Sequence, residues 1–253
     1  MRILRPFLIL VGLVLAWQAV VLLAEKPHYI LPGPDRVAAA WLARAGLILG
    51  HAGTTVAEIL LGLMAGALLG IASALFLGYA RPARRWLMPL LVISQAIPVF
   101  ALAPILVLWL GYGMGSKIAM ATLIIYFPVT AAFLDGLRRA EVGWLDLART
   151  MGASRAATLI HIRVPAALPA LASGLRVATA VAPIGAIVGE WVGSSGGLGY
   201  LMLQANARMQ VDVMFAALLT LAVFAVALYY AVDAGLRRAI PWQPETDPSN
   251  DEE

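Results

Sequence analysis

The sequence has no cysteine and few charged residues. Only 13% of its 253 residues are Asp, Glu, Lys or Arg, whereas soluble domains carry about a quarter. The missing cysteines exclude disulfides and zinc sites built on thiolates. The shortage of charge, together with 62% hydrophobic residues and a mean hydropathy of +0.87, predicts a membrane protein.

The patterns of common catalytic sites are also missing. There is no G-x-x-x-x-G-K-[ST] phosphate loop, because the glycines of residues 111–117 occur in another order. No G-x-S-x-G motif is present, and His28, His51 and His161 are too far apart for metal-ligand spacing. We therefore expect neither an enzyme nor a cofactor or metal in this chain.

Six apolar runs predict an all-α, polytopic fold with six transmembrane helices. The runs are residues 7–24, 55–79, 86–110, 118–134, 171–188 and 213–232. Between them we expect an interfacial helix at residues 37–49 and a short outer loop at residues 111–117, which contains Lys117. We also expect a glycine-rich outer segment at residues 191–210. We expect residues 1–50 to form an N-terminal transmembrane helix with a periplasmic linker. Residues 51–238 should form a core of five transmembrane helices, and residues 239–253 a disordered tail.

The distribution of Lys and Arg orients these runs. Of 18 such residues, 13 fall at the termini and in the loops after runs two and four, and the other five are Lys26, Arg36, Arg44, Lys117 and Arg208. The positive-inside rule therefore places both termini in the cytoplasm. A pI near 9.7 would also fit a nucleic-acid-binding protein, but basic clusters between apolar runs are explained by orientation in a bilayer.

Small residues recur every four positions in the second and fifth runs. Gly62, Gly66, Gly70, Ala74 and Gly78 follow Glu58 at this spacing, and Gly174, Ala178, Ala182 and Ala186 lead to Glu190 at the same spacing. Such ridges let a neighbouring helix approach closely. Glu58 and Glu190 fall near outer ends of their runs, so no ionisable residue is expected at the membrane midplane.

The third run contains Pro89, Pro98 and Pro104, which predict a kinked or interrupted helix. Freed backbone groups at that depth need protein or water as partners, so the region of Gln95 and Pro98 is a candidate pathway lining. Thr179 and Glu190 are two further polar candidates near the pathway. Structural hydrogen bonding or a packing kink is the alternative explanation for these residues.

A polar segment, residues 144–169, separates the fourth and fifth runs. Gly152 suits a left-handed turn at the end of one helix, and Ser154 suits the N-cap of the next. We expect that second helix to end near Ile162, broken by Pro165 and Pro169. The segment thus predicts a helix–turn–helix on the cytoplasmic side.

Its spacing resembles the EAA loop of ABC-importer permeases, which reads E-A-A, three residues, G, nine residues, I, one residue, L-P. Asp146, Leu147 and Ala148 match E-A-A with Asp for Glu, and Gly152, Ile162 and Pro165 keep the register with Val164 in place of leucine. The resemblance covers roughly residues 50–238. It looks closest to nitrate/sulfonate/taurine-type permeases, and within them to the hydroxymethylpyrimidine (thiamine-precursor) branch.

The resemblance implies a type I importer permease of the bacterial cytoplasmic membrane, surrounded by lipid. Its implied partners are an ATPase subunit, an extracytoplasmic binding protein and a second permease copy. The implied ATPase-coupling residues are Asp146, Ala148, Gly152, Ala153, Ser154, Ile162 and Pro165. Nitrate, alkanesulfonate or taurine remain alternative substrates. A stand-alone secondary transporter is the alternative function, although no midplane charge of the kind that ion coupling uses is evident.

Overall fold

The computed structural model describes residues 4–24 and 27–242, apart from the side chains of residues 4–7, 10, 81 and 95. Within these ranges the chain is helical, without a strand, which confirms the all-α fold. The helices are α1 (Leu4–Ala24), α2 (Pro34–Ala43), α3 (Ala45–Tyr79), α4 (Arg81–Ala96), α5 (Val99–Leu110), α6 (Met114–Arg138), α7 (Val142–Thr150), α8 (Arg155–Thr158), α9 (Val164–Gly193), α10 (Leu198–Ala207) and α11 (Val211–Ala239). Most of the expected tail, residues 243–253, lies outside the described residues.

Four helical stretches in the described chain are long and apolar enough to cross a membrane. They are α3, α6, α11 and the 39-residue stretch Arg155–Gly193, which contains α8 and α9. The pair α4–α5 passes the same test together and is bent by 98° at its break, as in a broken span or a re-entrant loop. The described apolar part of α1, Val11–Ala24, is shorter. Of six expected spans, four or five therefore meet the length and composition that a membrane requires.

The second span begins earlier than its sequence suggests. Residues 37–49 do not form a separate interfacial helix, because α2 ends at Ala43 and α3 begins at Ala45. The break is at Arg44, whose backbone leaves helical geometry at φ −125° and ψ 23°. The glycines of residues 46–53 stay inside α3, because glycine weakens a helix by only about 1 kcal/mol and does not stop it.

The expected ridge of small residues joins α3 to α6. A Cβ added at Gly62, Gly66, Gly70 or Gly78 would meet a side chain of α6, respectively at Ala121, Ile125, Val129 and Leu137. Each pair is 59 residues apart (121 − 62, 125 − 66, 129 − 70, 137 − 78), so the two helices run in the same direction with a constant register. Close approach of the backbones, as the sequence predicts, is the physical reason for these glycines.

The second ridge packs α9 against α6 as well. A Cβ at Gly185 would lie 2.6 Å from Ala121 Cα, and one at Gly189 would lie 3.2 Å from Lys117 Cα. Because α9 numbers rise as α6 numbers fall, the two helices are antiparallel. Ala178, Ala182 and Ala186 are fully buried in this contact. The helices α3, α6 and α9 thus form a tightly packed centre.

This packing makes Gly62→Ala a destabilising change. The added methyl would overlap the methyl of Ala121, and overpacking of this kind costs about 1–3 kcal/mol. Gly53→Ala is the matched control, because a Cβ there meets nothing within 4 Å and alanine favours helix. The melting temperature of the purified protein should fall for Gly62→Ala, stay level or rise for Gly53→Ala, and partly recover in Gly62→Ala with Ala121→Gly. Equal melting of the two single variants would contradict the packing.

Pro165 and Pro169 do not end the helix that Ser154 begins, in contrast to the sequence-based expectation. Residues Leu159–Arg163 form a π-helical turn, and α9 continues from it to Gly193. A π turn shifts the hydrogen-bond register by one residue, which leaves a backbone group without its usual partner. Pro165, at the start of α9, lacks an N–H where the register changes and is therefore accommodated. The result is one helical rod from Arg155 to Gly193.

Two further contacts tie the last helix to this centre. Arg176 Nε of α9 donates to Asp233 Oδ1 of α11 at 2.6 Å. Arg237 donates to the other oxygen of the same carboxylate at 2.9 Å. In the first half of α11, Trp41 Nε1 of α2 donates to Thr220 Oγ1 at 3.0 Å. Helix α11 is therefore held at two points by side chains of other helices.

Candidate functional site

The polar hairpin, defined here as residues 142–158, consists of α7, a four-residue turn and α8. Helix α7 ends at Thr150, and Gly152 adopts φ 74°, the left-handed geometry that closes the turn. Ser154 then caps α8, since its Oγ accepts a hydrogen bond from Ala157 N at 3.1 Å. The turn and both caps are as the sequence predicts, because each depends on residues within one or two turns of helix.

The turn is also held by backbone hydrogen bonds. Gly152 N donates to Arg149 O at 3.0 Å, and Ala153 N donates to Ala148 O at 2.9 Å. A Cβ built at Gly152 meets nothing within 4 Å. Glycine therefore suits this position for its left-handed backbone angle, and the space around it is open in the single chain.

One face of the hairpin is apolar and exposed. Trp144, Leu147 and Met151 have exposed fractions of 53%, 60% and 78%. They share one face of α7, because they are spaced by three and four residues. Contiguous exposed apolar side chains of this kind mark interaction surfaces.

This face borders a groove of about 950 Å³. Its opposite wall is the start of the rod, at Ile162, Pro165 and Pro169, and Trp242 also lines it. We call it the hairpin groove. Its shape and lining suit an inserted element with an apolar surface.

The seven expected coupling residues divide into three groups. Ala148, Ala153, Ile162 and Pro165 line the hairpin groove. Gly152 and Ser154 form the turn. Asp146 lies outside the groove and binds Arg149 of its own helix, with 2.6 Å between Oδ1 and the guanidinium. Both side chains of that pair are more than half exposed, so the pair contributes little to stability and its carboxylate is accessible to a partner.

A buried polar cluster lies at the far end of the rod. Glu190 is 1% exposed and its Oε1 accepts a hydrogen bond from Thr55 Oγ1 at 2.6 Å. Its Oε2 accepts from the backbone N–H groups of Gly199 and Tyr200, at the start of α10. The carboxylate thus satisfies N–H groups that a helix N-terminus leaves free, and its negative charge suits the positive end of the helix dipole.

Two neighbours complete this end of α10. Leu198 N donates to Thr55 Oγ1 at 2.7 Å, and Gly197 N donates to His51 Nδ1 at 3.0 Å. Gly197 has φ 105°, which a side chain would disfavour. The segment that the sequence marked only as glycine-rich therefore contains a helix, α10, that is held to α3 and α9.

An ion pair beside this cluster was missed by sequence reasoning. Lys117 was placed in an outer loop, but it lies in the first turn of α6, is 5% exposed and contacts Glu58 Oε1 through Nζ at 2.9 Å. Glu58 is fully buried and is the fourteenth residue of α3 (58 − 45 + 1), deeper than the outer end at which it was expected. The pair keeps the spacing of 59 that the small-residue ridge shows (117 − 58).

The four pathway candidates have different surroundings. Thr179 is 1% exposed and its hydroxyl donates to Leu175 O at 2.7 Å, and Glu190 caps α10 as described. Pro98 stands in the exposed break between α4 and α5, at the 98° bend, so the predicted interruption of this helix is confirmed. The side chain of Gln95 lies outside the part of the chain that the structure describes.

Known proteins with similar sequences are permeases of ABC transporters. Residues 62–241 match the family model described as binding-protein-dependent transport system inner membrane component. A probable ABC transporter permease of Haemophilus influenzae is 57% identical over 94% of this chain and 98% of its own length. The formylaminopyrimidine transport permease ThiX of Halalkalibacterium halodurans is 34% identical over 95% and 96%. The taurine transport permease TauC of Escherichia coli is 30% identical over 92% and 87%.

A solved structure shares the fold. An inward-facing structure of the MetNI methionine ABC transporter aligns with a TM-score of 0.67 at 21% identity, covering 78% of this chain and 97% of that chain. The fold is therefore the type I importer permease fold that the sequence resemblance implied. The family model and the sequence relatives together show that this chain belongs to the binding-protein-dependent inner-membrane components, the permease subunits of ABC importers.

Proposed function

We propose that this permease imports a hydroxymethylpyrimidine-type thiamine precursor, as the membrane subunit of a complex with a separate ATPase, a binding protein and a second permease copy. The observation that carries the coupling role is the exposed apolar face of the hairpin beside the hairpin groove. Such a surface is costly in water unless a partner covers it. An ATPase subunit is the partner that importer permeases require.

The helical rod connects the hairpin to the polar cluster around Glu190 and can transmit a movement from one to the other. At 1.5 Å per residue, the 39 residues of Arg155–Gly193 span about 58 Å. One end of the rod begins at the hairpin turn, and the other carries Glu190 and the start of α10. Movement of a docked hairpin would therefore shift the outer polar cluster as one body, which is the rigid-element motion that alternating access needs.

The solute pathway is proposed to pass the broken span. The bend at Pro98 frees backbone groups, and within a membrane such groups persist only against protein or water. Residues Gln95 and Pro98 are therefore proposed to face a pathway between two permease copies. Thr179 and Glu190 are proposed to act by holding helices in place, since both are buried and hydrogen-bonded.

The proposed setting is a bacterial cytoplasmic membrane with both termini inside. The support is the distribution of 13 of 18 basic residues on the side that carries the hairpin. Residues 51–238 form the proposed core, preceded by an N-terminal helix with its linker and followed by a cytoplasmic tail. The hairpin then faces the cytoplasm, where ATP is available.

The choice of substrate rests on resemblance. The relatives named for formylaminopyrimidine and taurine are 34% and 30% identical, and RibX of Chloroflexus aurantiacus, named for riboflavin, is 37% identical, so identity alone does not rank the substrates. The buried charges of the described chain are engaged within the protein, in the pairs Glu58–Lys117 and Arg176–Asp233 and in the contact of Glu190 with the start of α10. That arrangement suits a neutral heteroaromatic solute better than a sulfonate, while taurine, alkanesulfonates and nitrate are the competing candidates.

The test is uptake by the reconstituted complex. Proteoliposomes holding the permease, its ATPase and its binding protein should accumulate hydroxymethylpyrimidine only with ATP inside and binding protein outside. Omitting either partner is the control. Uptake of taurine or nitrate, without uptake of hydroxymethylpyrimidine, would assign one of those solutes as the substrate. Uptake by the permease alone would overturn the importer assignment.

A further inference from the structure

A second cavity lies on the other side of the hairpin from the groove. It has a volume of about 280 Å³, and three of its nine lining residues are arginines, Arg149, Arg155 and Arg163. No acidic residue lines it. The remaining residues are Gly78, Tyr79, Leu145, Ala153, Thr158 and Leu159. We call it the arginine cavity.

The three arginines come from different parts of one folded unit. Arg149 is in the last turn of α7, Arg155 begins α8, and Arg163 ends the π-helical turn. Arg149 and Arg155 are exposed, and Arg163 is half-buried. Arg149 uses one N–H on Asp146, and a guanidinium has five donors in total. The cavity is therefore built to receive an anion with several acceptor oxygens.

The position of the cavity along α3 indicates which kind of anion it can meet. Gly78 and Tyr79 are the last two residues of α3, a helix long and apolar enough to cross a bilayer. The end of such a span lies at the level of the lipid headgroups. Tyr79 is half exposed there, as interfacial tyrosines are, and Phe76 one turn further into the span is also more than half exposed.

We propose that the arginine cavity binds the headgroup phosphate of an anionic phospholipid, with the acyl chains lying along the Phe76 face of α3. The polar lining matches the phosphate, and Leu145 and Leu159 match the glycerol and first methylenes. Basic pockets beside transmembrane helices recognise anionic headgroups in this way.

The position of the cavity gives the lipid a role distinct from ATPase docking. Leu145 and Arg149 lie on one face of α7, and the mean direction of Trp144, Leu147 and Met151 lies about 150° away around the helix axis. A bound lipid would therefore hold the hairpin from the membrane side and leave its apolar face free. This inference does not depend on the proposed substrate or on the coupling role.

The experiment measures lipid binding to the full-length permease in its assembled complex with the ATPase. Delipidated complex is titrated with short-chain phosphatidylglycerol, short-chain phosphatidylcholine and inorganic phosphate, with bound lipid counted by native mass spectrometry. Phosphatidylglycerol should bind at least about tenfold more tightly than phosphatidylcholine. Arg155→Gln should weaken phosphatidylglycerol binding about fivefold, which is the effect of one basic residue near an anionic headgroup. The double variant Arg155→Gln with Arg163→Gln should bind the two lipids equally.

Matched controls use exposed arginines outside the cavity. Arg238→Gln, and the pair Arg138→Gln with Arg238→Gln, remove the same charge and should leave binding unchanged. The proposal is overturned if the two headgroups bind equally, or if Arg238→Gln weakens binding as much as Arg155→Gln. It is also overturned if inorganic phosphate binds as tightly as the lipid. A further contradicting result is binding of phosphatidylglycerol only to a variant that lacks residues 243–253, a segment with five acids. Arg155 is exposed, so its single variant leaves the fold intact and the comparison interpretable.

Discussion

Gly152→Asp should leave the permease in the membrane at its normal level, abolish transport and weaken co-purification of the ATPase. The backbone at Gly152 has φ 74°, which Asp and Asn tolerate better than other residues with side chains. A side chain at this position meets nothing within the chain. Loss of function therefore has to arise in a partner that approaches the turn. Uptake by the reconstituted complex and the amount of ATPase retained on the purified permease measure the two effects.

Two control variants separate the causes. Gly152→Asn has nearly the size and backbone preference of Asp without its charge, so any difference between the two variants reports the electrostatics of the docking surface. Gly152→Ala adds little bulk but strains the left-handed backbone by about 1–2 kcal/mol, so it reports the turn itself. If Gly152→Asp transports normally, the turn does not dock, and the coupling role of the hairpin is wrong.

Local features of the chain were accessible from its sequence. The left-handed Gly152, the cap at Ser154 and the interrupted third run each depend on residues within a few positions, and the structure confirms them. The four-residue ridge on α3 was also accessible, because its period equals the spacing of one helix face. What the ridge packs against was not, since the partner α6 is about 59 residues away along the chain.

The misplaced features depend on tertiary contacts. Lys117 follows a glycine-rich stretch and reads as a loop residue, and only its contact with Glu58 explains a lysine inside a helix packed in the core. The proline rule placed a break at Pro165, but the preceding π turn depends on a register change that no residue type marks. Glu190 was a pathway candidate with structural hydrogen bonding as the alternative, and its contact with the start of α10 involves residues too far along the chain to be read from local sequence.

Lys117→Met should be among the most destabilising single changes in the half of the molecule that carries Glu190. It would leave the carboxylate of Glu58 fully buried without its cation, next to the carboxylate of Glu190 with which it interacts. Removing one partner of a buried ion pair costs about 3–5 kcal/mol, because the remaining charge is uncompensated. The melting temperature of the purified permease measures the loss.

The controls vary the charge and its burial separately. Arg208→Met removes an exposed basic residue beyond the end of α10 and should change melting little, as exposed charges usually do. Glu58→Met combined with Lys117→Met removes both charges, and buried pairs replaced by apolar residues are often as stable as the original. The double variant should therefore recover most of the loss, and equal melting of Lys117→Met and Arg208→Met would contradict the buried pair.

The double variant also tests why the pair is present. The ridge on α3 repeats every four residues and its partners on α6 do the same, so a shift of four residues would again place small side chains opposite large ones. Glu58 and Lys117 are a charged pair at one end of this repeat, and such a shift would bury Glu58 against Ala121. We infer that the pair fixes the register, as buried polar pairs do in coiled coils. A double variant that melts like the parent but transports poorly would support that role, whereas full transport would show that packing alone sets the register.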